Sequence, residues 1–304
     1  MNKVLVINHR QTHCGVHSFG KRIYDLIKNS EDVQYVYSEM ESVGEYLEAV
    51  NLHKPNYIVY NWHVTPMPWL TEGLIIFHQD IKHYFIFHEE FTRDNYDKYL
   101  FFGDYDFTGG EKFGEKKVLL PRPLLDYGGI YPENKILTVG SFGFGFWQKG
   151  YHTLTELVNK TFPEAVLRYH MPYSYFGDSL HEQTNAVEKA CIDANTNYNI
   201  KLDISHQFLE DKGVLEFLAG NDINVFLYGE NGEGISSVID FALSVKRPIA
   251  VSSSRMFRHV LKDEIDINKN SIQEILNKGT KPLEPYYDKW SINKFKEEFD
   301  KEFA

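Results

Sequence analysis

Two serines and a carboxylate stand at helical spacing in the stretch 226–251, FLYGENGEGISSVIDFALSVKRPIAV. The order is a short strand, a glycine-broken turn holding Glu230, Glu233 and Gly234, a helix opening around Ile235, Ser236 and Ser237, and a second apolar strand. A turn of this kind running into a helix start leaves backbone N–H groups and the positive end of the helix dipole facing outward, which suits a phosphate or a diphosphate. Asp240 follows Ser236 by four residues and Ser237 by three, so the three share one face, while Ile235, Ile239 and Leu243 line another. A carboxylate one turn inside such a helix can accept both hydroxyls of a ribose, as the acidic residue of dinucleotide-binding folds does. A solvated aspartate on an ordinary helix would carry the same pattern.

A second glycine loop, GSFGFGFWQKG at 140–150, also leaves a strand and enters a helix, with Ser141 at its start and Lys149 near its end. Its glycines let the backbone approach a ligand, and Lys149 offers a point charge to a phosphate; an exposed surface loop is the plain alternative. The spacing fits neither GxGxxG nor the GK[ST] of a P-loop, so neither a dinucleotide fingerprint nor a P-loop is read. In the first half, the turn THCGVHSFG presents Gly15 and Val16 after the first strand. His88 in IFHEE ends a strand and precedes Glu89 and Glu90, a placement suited to hydrogen-bonding a sugar hydroxyl or polarising a nucleophile. His63 in YNWHVTP occupies a similar position, and Arg255, Arg258 and His259 follow the strand PIAVS. We read no HExxH or HxH spacing that asks for a metal.

These residues need scaffolding, and the pattern supplies alternating strands and helices. VLVIN, VQYVY, YIVYNW, LIIFH and YFIFH read as strands of a first half, with a helix near 21–28. KILTVGSF, AVLRYHM, NIKLDIS, INVFLY and PIAVS read as strands of a second half, separated by helical stretches. Such alternation predicts parallel sheets with helices on both faces, and places ligands beyond the carboxyl ends of the strands. Two prolines and a glycine pair near 121–134 interrupt the pattern and predict a linker. The last residues, YYDKWSINKFKEEFDKEFA, are amphipathic and predict a terminal helix. The expected class is therefore α/β, with two Rossmann-like domains facing across a cleft: 1–134 with a returning C-terminal helix at about 288–304, and 135–287.

Bulk properties agree with this organisation. A chain of 304 residues, 42% hydrophobic, holds more than one core usually does. The net charge of −11, without any basic cluster, argues against nucleic acid and anionic membrane surfaces as partners. Two distant cysteines, Cys14 and Cys191, make no disulfide framework and point to a reducing compartment. No run approaches the length of a membrane helix and the first apolar run is too short for a signal peptide, so a cytoplasmic location is expected.

Together the motifs resemble the GT-B glycosyltransferases, in particular the retaining family-4 type. CGVHSFGKRIYDLI resembles that family's glycine turn and first helix, FHEE its histidine segment, and KILTVGSFGFGFWQKGYHTLTELV its strand, loop and lysine-glycine helix. NVFLYGENGEGISSVIDFALSVKRPIAVSSS is similar to the turn, helix and strand that grip the donor. The resemblance implies a nucleotide-diphosphate sugar as donor and a glycan or other hydroxylated acceptor, as in polysaccharide biosynthesis, with no metal and no further cofactor. It casts His88 and Lys149 as catalytic, with His88 near the transferring sugar and Lys149 on the diphosphate. It assigns Gly15, Val16 and Ser141, together with Glu230, Glu233, Gly234, Ile235, Ser236, Ser237 and Asp240, to the donor. His63, Glu89 and Glu90 fall to the acceptor. The family's glutamate pair, eight apart, stands here as Gly232 and Asp240, and its arginine after the GSF-type strand is missing. Those departures keep two other readings open: a catalytically silent scaffold or nucleotide-sugar-binding protein, and a sugar-nucleotide epimerase. An NAD-linked dehydrogenase is disfavoured for want of its fingerprint.

Overall fold

A computed structural model describes residues 1–88, 96–103, 113–229 and 234–304. Two units form: Met1–Pro123 with Lys289–Ala304, and Leu124–Asp288. The first change of unit comes earlier than the proline-glycine stretch suggests, because the chain after Pro123 already packs in the second unit. Leu124 is buried, and the Leu125 amide donates to Ser244 Oγ at 2.8 Å. Asn134 donates to Gly220 O and to Asp222 at 3.0 and 3.1 Å, so this stretch is tied down along its length.

In unit 1, strands β1 (Asn2–Asn8), β2 (Val33–Glu39), β3 (Tyr57–Tyr60), β4 (Lys82–Ile86), β5 (Lys98–Phe102) and β6 (Lys117–Leu120) form one parallel sheet in the order β2-β1-β3-β4-β5-β6. The run Val4, Leu5, Val6 and Ile7 is wholly buried, as a central parallel strand covered on both faces must be. LIIFH, which resembles a strand, is instead part of the helix Glu72–Phe77. Ile75 alone is buried there while Ile76 and Phe77 are exposed, and so short an apolar run carries no period that separates helix from strand.

The terminal helix Ile292–Lys301 belongs to unit 1, where it packs on the helix Gly15–Ile27 and on β6. Ser291 caps it by accepting from the Lys294 amide at 3.4 Å. Phe295, Phe299 and Phe303, four residues apart, are fully buried against Tyr35, Tyr57, Tyr84 and Phe102. Each such side chain contributes about 1.5–3 kcal/mol of burial. Asp300 anchors the same helix by accepting from Tyr35 Oη at 2.7 Å and Ser30 Oγ at 2.8 Å.

In unit 2, β7 (Thr138–Phe142), β8 (Ala165–His170), β9 (Ile200–Ser205), β10 (Ile223–Phe226) and β11 (Ile249–Val251) form a second parallel sheet in the order β11-β10-β7-β8-β9. The chain is thus an α/β protein with two Rossmann-like, parallel-sheet domains and a C-terminal helix that returns to the first. Each sheet reverses its strand order once, at β1/β3 and at β7/β10, and the crevice beyond the carboxyl ends of those strands is where such sheets take ligands. Among the described residues no helix is long and apolar enough to cross a membrane.

Candidate functional site

In unit 2 the reversal point brings the loop after β7 beside the chain leaving β10. β7 ends at Phe142, with Ser141 buried in the strand, and the chain then passes Gly143, which adopts φ +140° and receives the Tyr151 hydroxyl on its carbonyl at 2.6 Å. Gly145 lies against Thr184, and the Trp147 amide donates to Gln183 Oε1 at 3.2 Å, so the loop is held from one side by the helix Glu182–Ala194. A 3-10 turn, Trp147–Lys149, then ends at Gly150 in the left-handed region with φ +68°. A Cβ there would collide with the Leu227 carbonyl, and the Gly229 amide donates to Gln148 O at 2.8 Å. Lys149 is therefore clamped against the chain leaving β10.

Its ammonium lies 3.8 Å from the centroid of the Tyr228 ring. Among the described residues no carboxylate pairs with it. Burial lowers the Lys149 pKa to about 7, since a low-dielectric pocket penalises the charged form. Ser252 Oγ donates to Tyr228 O at 2.7 Å and Ser254 Oγ to Gly229 O at 2.9 Å, so the serines after β11 fix the backbone beneath the lysine. Sequence reasoning missed Tyr228, Ser252 and Ser254; the signal was present in the SSS run and in the aromatic after β10, but both also suit plain surface turns.

The helix that carries Asp240 differs from expectation. It spans Val238–Ser244, seven residues, with Ser237 as N-cap, rather than opening at Ser236. Every one of those seven residues is buried, because the helix packs on the helix Asp211–Ala219 and Phe241 meets Phe142. Asp240 is 0% exposed, so the carboxylate expected to face a ribose beside Ser236 and Ser237 is enclosed. The Ser236 amide is also engaged, donating to Met256 O at 3.1 Å, and so is not among the free N–H groups expected there. Gly234 O accepts from Arg258 at 3.5 Å, while Ile235 is half-buried. Glu230 and Glu233 lie outside the described residues. A groove of about 920 Å3 between residues 125–132 and the helix Asp211–Ala219 includes none of the residues singled out by the sequence.

In unit 1 the carboxyl ends of β1, β3 and β4 bring together Asn8, Asn61 and His88. His88 Nε2 lies 2.7 Å from Asn61 Oδ1, and Asn61 Nδ2 donates to Asn8 Oδ1 at 2.8 Å and to Val16 O at 2.7 Å. Asn8 Nδ2 in turn donates to His17 O at 2.9 Å and Tyr37 Oη at 3.0 Å. The glycine turn thus reaches the site through the Val16 carbonyl, while Gly15 begins the helix Gly15–Ile27 with open space around it. Gly20 packs so closely on the Asn61 side chain that a Cβ would overlap it. His63 is half-buried, and its Nδ1 accepts from the Thr65 amide at 3.2 Å. Burial first, then the charges of His63, Arg122 and His9, hold His88 down at about 3. His9 is lowered to about 4, chiefly by burial and next by His17. His88 and His9 are therefore neutral imidazoles at neutral pH. Glu89 and Glu90 lie outside the described residues. Asn8 was not singled out, and Asn61 stood out only as the first residue after its strand, since an asparagine ending a strand carries no distinguishing spacing. Among the described residues no three His, Cys, Asp or Glu side chains gather where a metal could sit.

No protein-family model matches the chain, and no curated protein matches it. Solved structures do match in fold. The Anabaena Alr3699/HepE structure in complex with UDP and glucose superposes with a TM-score of 0.68 at 11% identity, covering 99% of both chains. The trehalose-6-phosphate synthase OtsA follows at 0.66 and 10%, covering 99% of this chain and 98% of that one. The lipopolysaccharide outer core galactosyltransferase WaaB superposes at 0.63 and 9%, covering 99% and 98%. These proteins share the GT-B architecture, and the present chain has that fold over nearly its whole length.

Proposed function

We propose that this chain is a glycosyltransferase that draws a sugar from a nucleotide-diphosphate donor and passes it to a glycan or another hydroxylated acceptor. The observation that carries the reading is Lys149, a cation with no carboxylate partner among the described residues, clamped at the strand-order reversal of the second sheet. The fold match to a structure holding UDP and glucose supports the same reading. When the bond between sugar and diphosphate breaks, negative charge grows on the departing phosphate oxygen. An ammonium fixed in a low-dielectric setting stabilises that charge without reorganisation, and this is ordinarily the largest catalytic term. Because Lys149 supplies the cation, we propose that no divalent metal is required. Retention of the anomeric configuration, a cytoplasmic location and a role in polysaccharide biosynthesis complete the proposal. His88 and His63 take sugar or acceptor hydroxyls at the edge of unit 1, where the neutral His88 imidazole suits an uncharged partner.

Parallel thermal unfolding with UDP, GDP, dTDP and CMP tests the donor, because a ligand that binds the native state raises its apparent stability by mass action. Stabilisation by one nucleotide, followed by slow hydrolysis of its sugar conjugates, is the expected result; no stabilisation by any of the four removes the reading. The absence of the family's first glutamate and of its arginine favours one rival, a silent nucleotide-sugar-binding protein. Tight binding with no hydrolysis and no transfer would select it.

A further inference from the structure

The hydrogen bonds around Asn61 have only one consistent direction. Backbone groups cannot be turned around, and three of them orient the chain of amides. The carbonyls of Val16 and His17 can only accept, so the atoms donating to them are Asn61 Nδ2 and Asn8 Nδ2. The His9 amide can only donate, and it does so to Asn8 Oδ1 at 2.9 Å, which again makes that atom an oxygen. Asn61 therefore faces His88 with its oxygen, and the atom of His88 that meets it at 2.7 Å carries the proton. The imidazole then has Nε2–H directed at Asn61, and Nδ1 makes no hydrogen bond to any described residue.

We propose that Asn61 is a positioning residue that fixes His88 as a neutral imidazole with Nδ1 as its one open acceptor, so that His88 receives a sugar hydroxyl and rejects a carboxylate or phosphate. The clause about sugar rests on the nucleotide-sugar reading above; the lock on the ring does not. A bare Nδ1 lone pair attracts an O–H and repels an anionic oxygen, which selects hydroxyls without any charge at the contact. The surroundings work the same way. Phe19 sets its edge to the ring at a centroid distance of 5.6 Å, and the charged or titratable groups acting on His88 are His9 after β1, His63 after β3 and Arg122 after β6. All three oppose a second proton on the ring, and burial opposes it most.

The lock is read directly from the 15N spectrum of histidine-labelled, ligand-free protein, with the His88 signals assigned by their loss in His88→Ala. The expected result is a protonated Nε2 and a bare Nδ1, unchanged from pH 7 to pH 5. A proton on Nδ1, or a cationic ring at pH 6, overturns the proposal. In Asn61→Asp the acceptor oxygen stays and a negative charge is added, so the ring should hold both protons at neutral pH; a purely structural asparagine would lower stability without that change. Should Asn61→Asp fail to fold, the wild-type spectrum still decides. The hydroxyl is found by titrating UDP-glucose and its singly deoxygenated forms. One position should lose about tenfold or more in affinity in the wild type, and that loss should shrink in Asn61→Ala. If every position loses equally in both proteins, the hydroxyl assignment is wrong. If no form of UDP-glucose binds at all, the nucleotide-sugar reading falls with the hydroxyl clause, while the nitrogen spectrum judges the lock by itself.

Discussion

Lys149 Nζ sits 3.8 Å from the centre of the Tyr228 ring, and that ring is the nearest thing to a counter-charge that the described residues give it. The face of a phenol attracts a cation by only about 0.5–2 kcal/mol, far less than burial costs an ammonium, and no carboxylate among the described residues pairs with Lys149. Lys149 is thus a group whose charged form is worse off in the empty protein than in water.

Replacing Lys149 with Met should therefore raise the melting temperature while removing function. We expect donor hydrolysis or transfer to fall by about 10²–10³-fold, the usual loss for one electrostatic stabiliser. A calorimetric melt beside an activity assay checks both halves; an unstable variant, or one with full turnover, contradicts the assignment.

Nucleotide binding should depend on pH through the same side chain. The free lysine titrates at about 7, and a diphosphate beside it favours the charged form, so the value rises in the complex. Affinity is then complete below about pH 7 and declines as pH rises through that value, by up to about tenfold per unit until the value in the complex is reached. Titration calorimetry of UDP in buffers of different ionisation heats should show proton uptake at pH 8 and little at pH 6. Equal heats at both would mean that Lys149 does not meet the phosphates.

Two glycines separate backbone necessity from ligand access. Gly150→Ala forces a side chain into the left-handed region and against the Leu227 carbonyl, and should cost about 1–3 kcal/mol. Gly15→Ala meets open space at a helix start and should leave stability the same or raise it by about 0.4–1 kcal/mol. Urea unfolding of the two variants distinguishes them, and equal destabilisation would contradict the geometry.

Acid should weaken the fold through its buried imidazoles. His9 and His170 are lowered to about 4 and His88 to about 3, in each case mainly by burial, whereas the unfolded chain titrates near 6.5. Between pH 6.5 and these values the unfolded state binds protons that the native state refuses, so stability falls with pH by up to about 1.4 kcal/mol per unit for each group. Urea midpoints at pH 7.5 and pH 5 should differ clearly, and indistinguishable midpoints would contradict neutral burial.

The fold was legible where the sequence carries a period or an unbroken apolar run. Val4 to Ile7 reads as a buried parallel strand and Phe295, Phe299 and Phe303 as one helical face, and both patterns survive because burial itself selects them. The strand-like run at 74–78 misled, since four apolar residues satisfy either geometry. Lys149 stood out in the sequence because a lysine in a glycine loop after a strand is locally unusual, and the structure clamps it beside Tyr228. Asn61 was legible only by its place after a strand, as its contacts arise from three elements meeting through amides that no linear spacing links. At Asp240 the helical spacing indicates a shared face, but the burial of that face depends on the packing partner at Asp211–Ala219, which no local spacing encodes.

The chain changes unit twice, after Pro123 and again at Lys289, and the phenylalanines that seal the first sheet sit beyond the second change. During synthesis the ribosome therefore delivers the lid of the earliest-made unit only after the whole of the later one. Until then Tyr35, Tyr57 and Tyr84 remain uncovered, so the half that begins first is completed last.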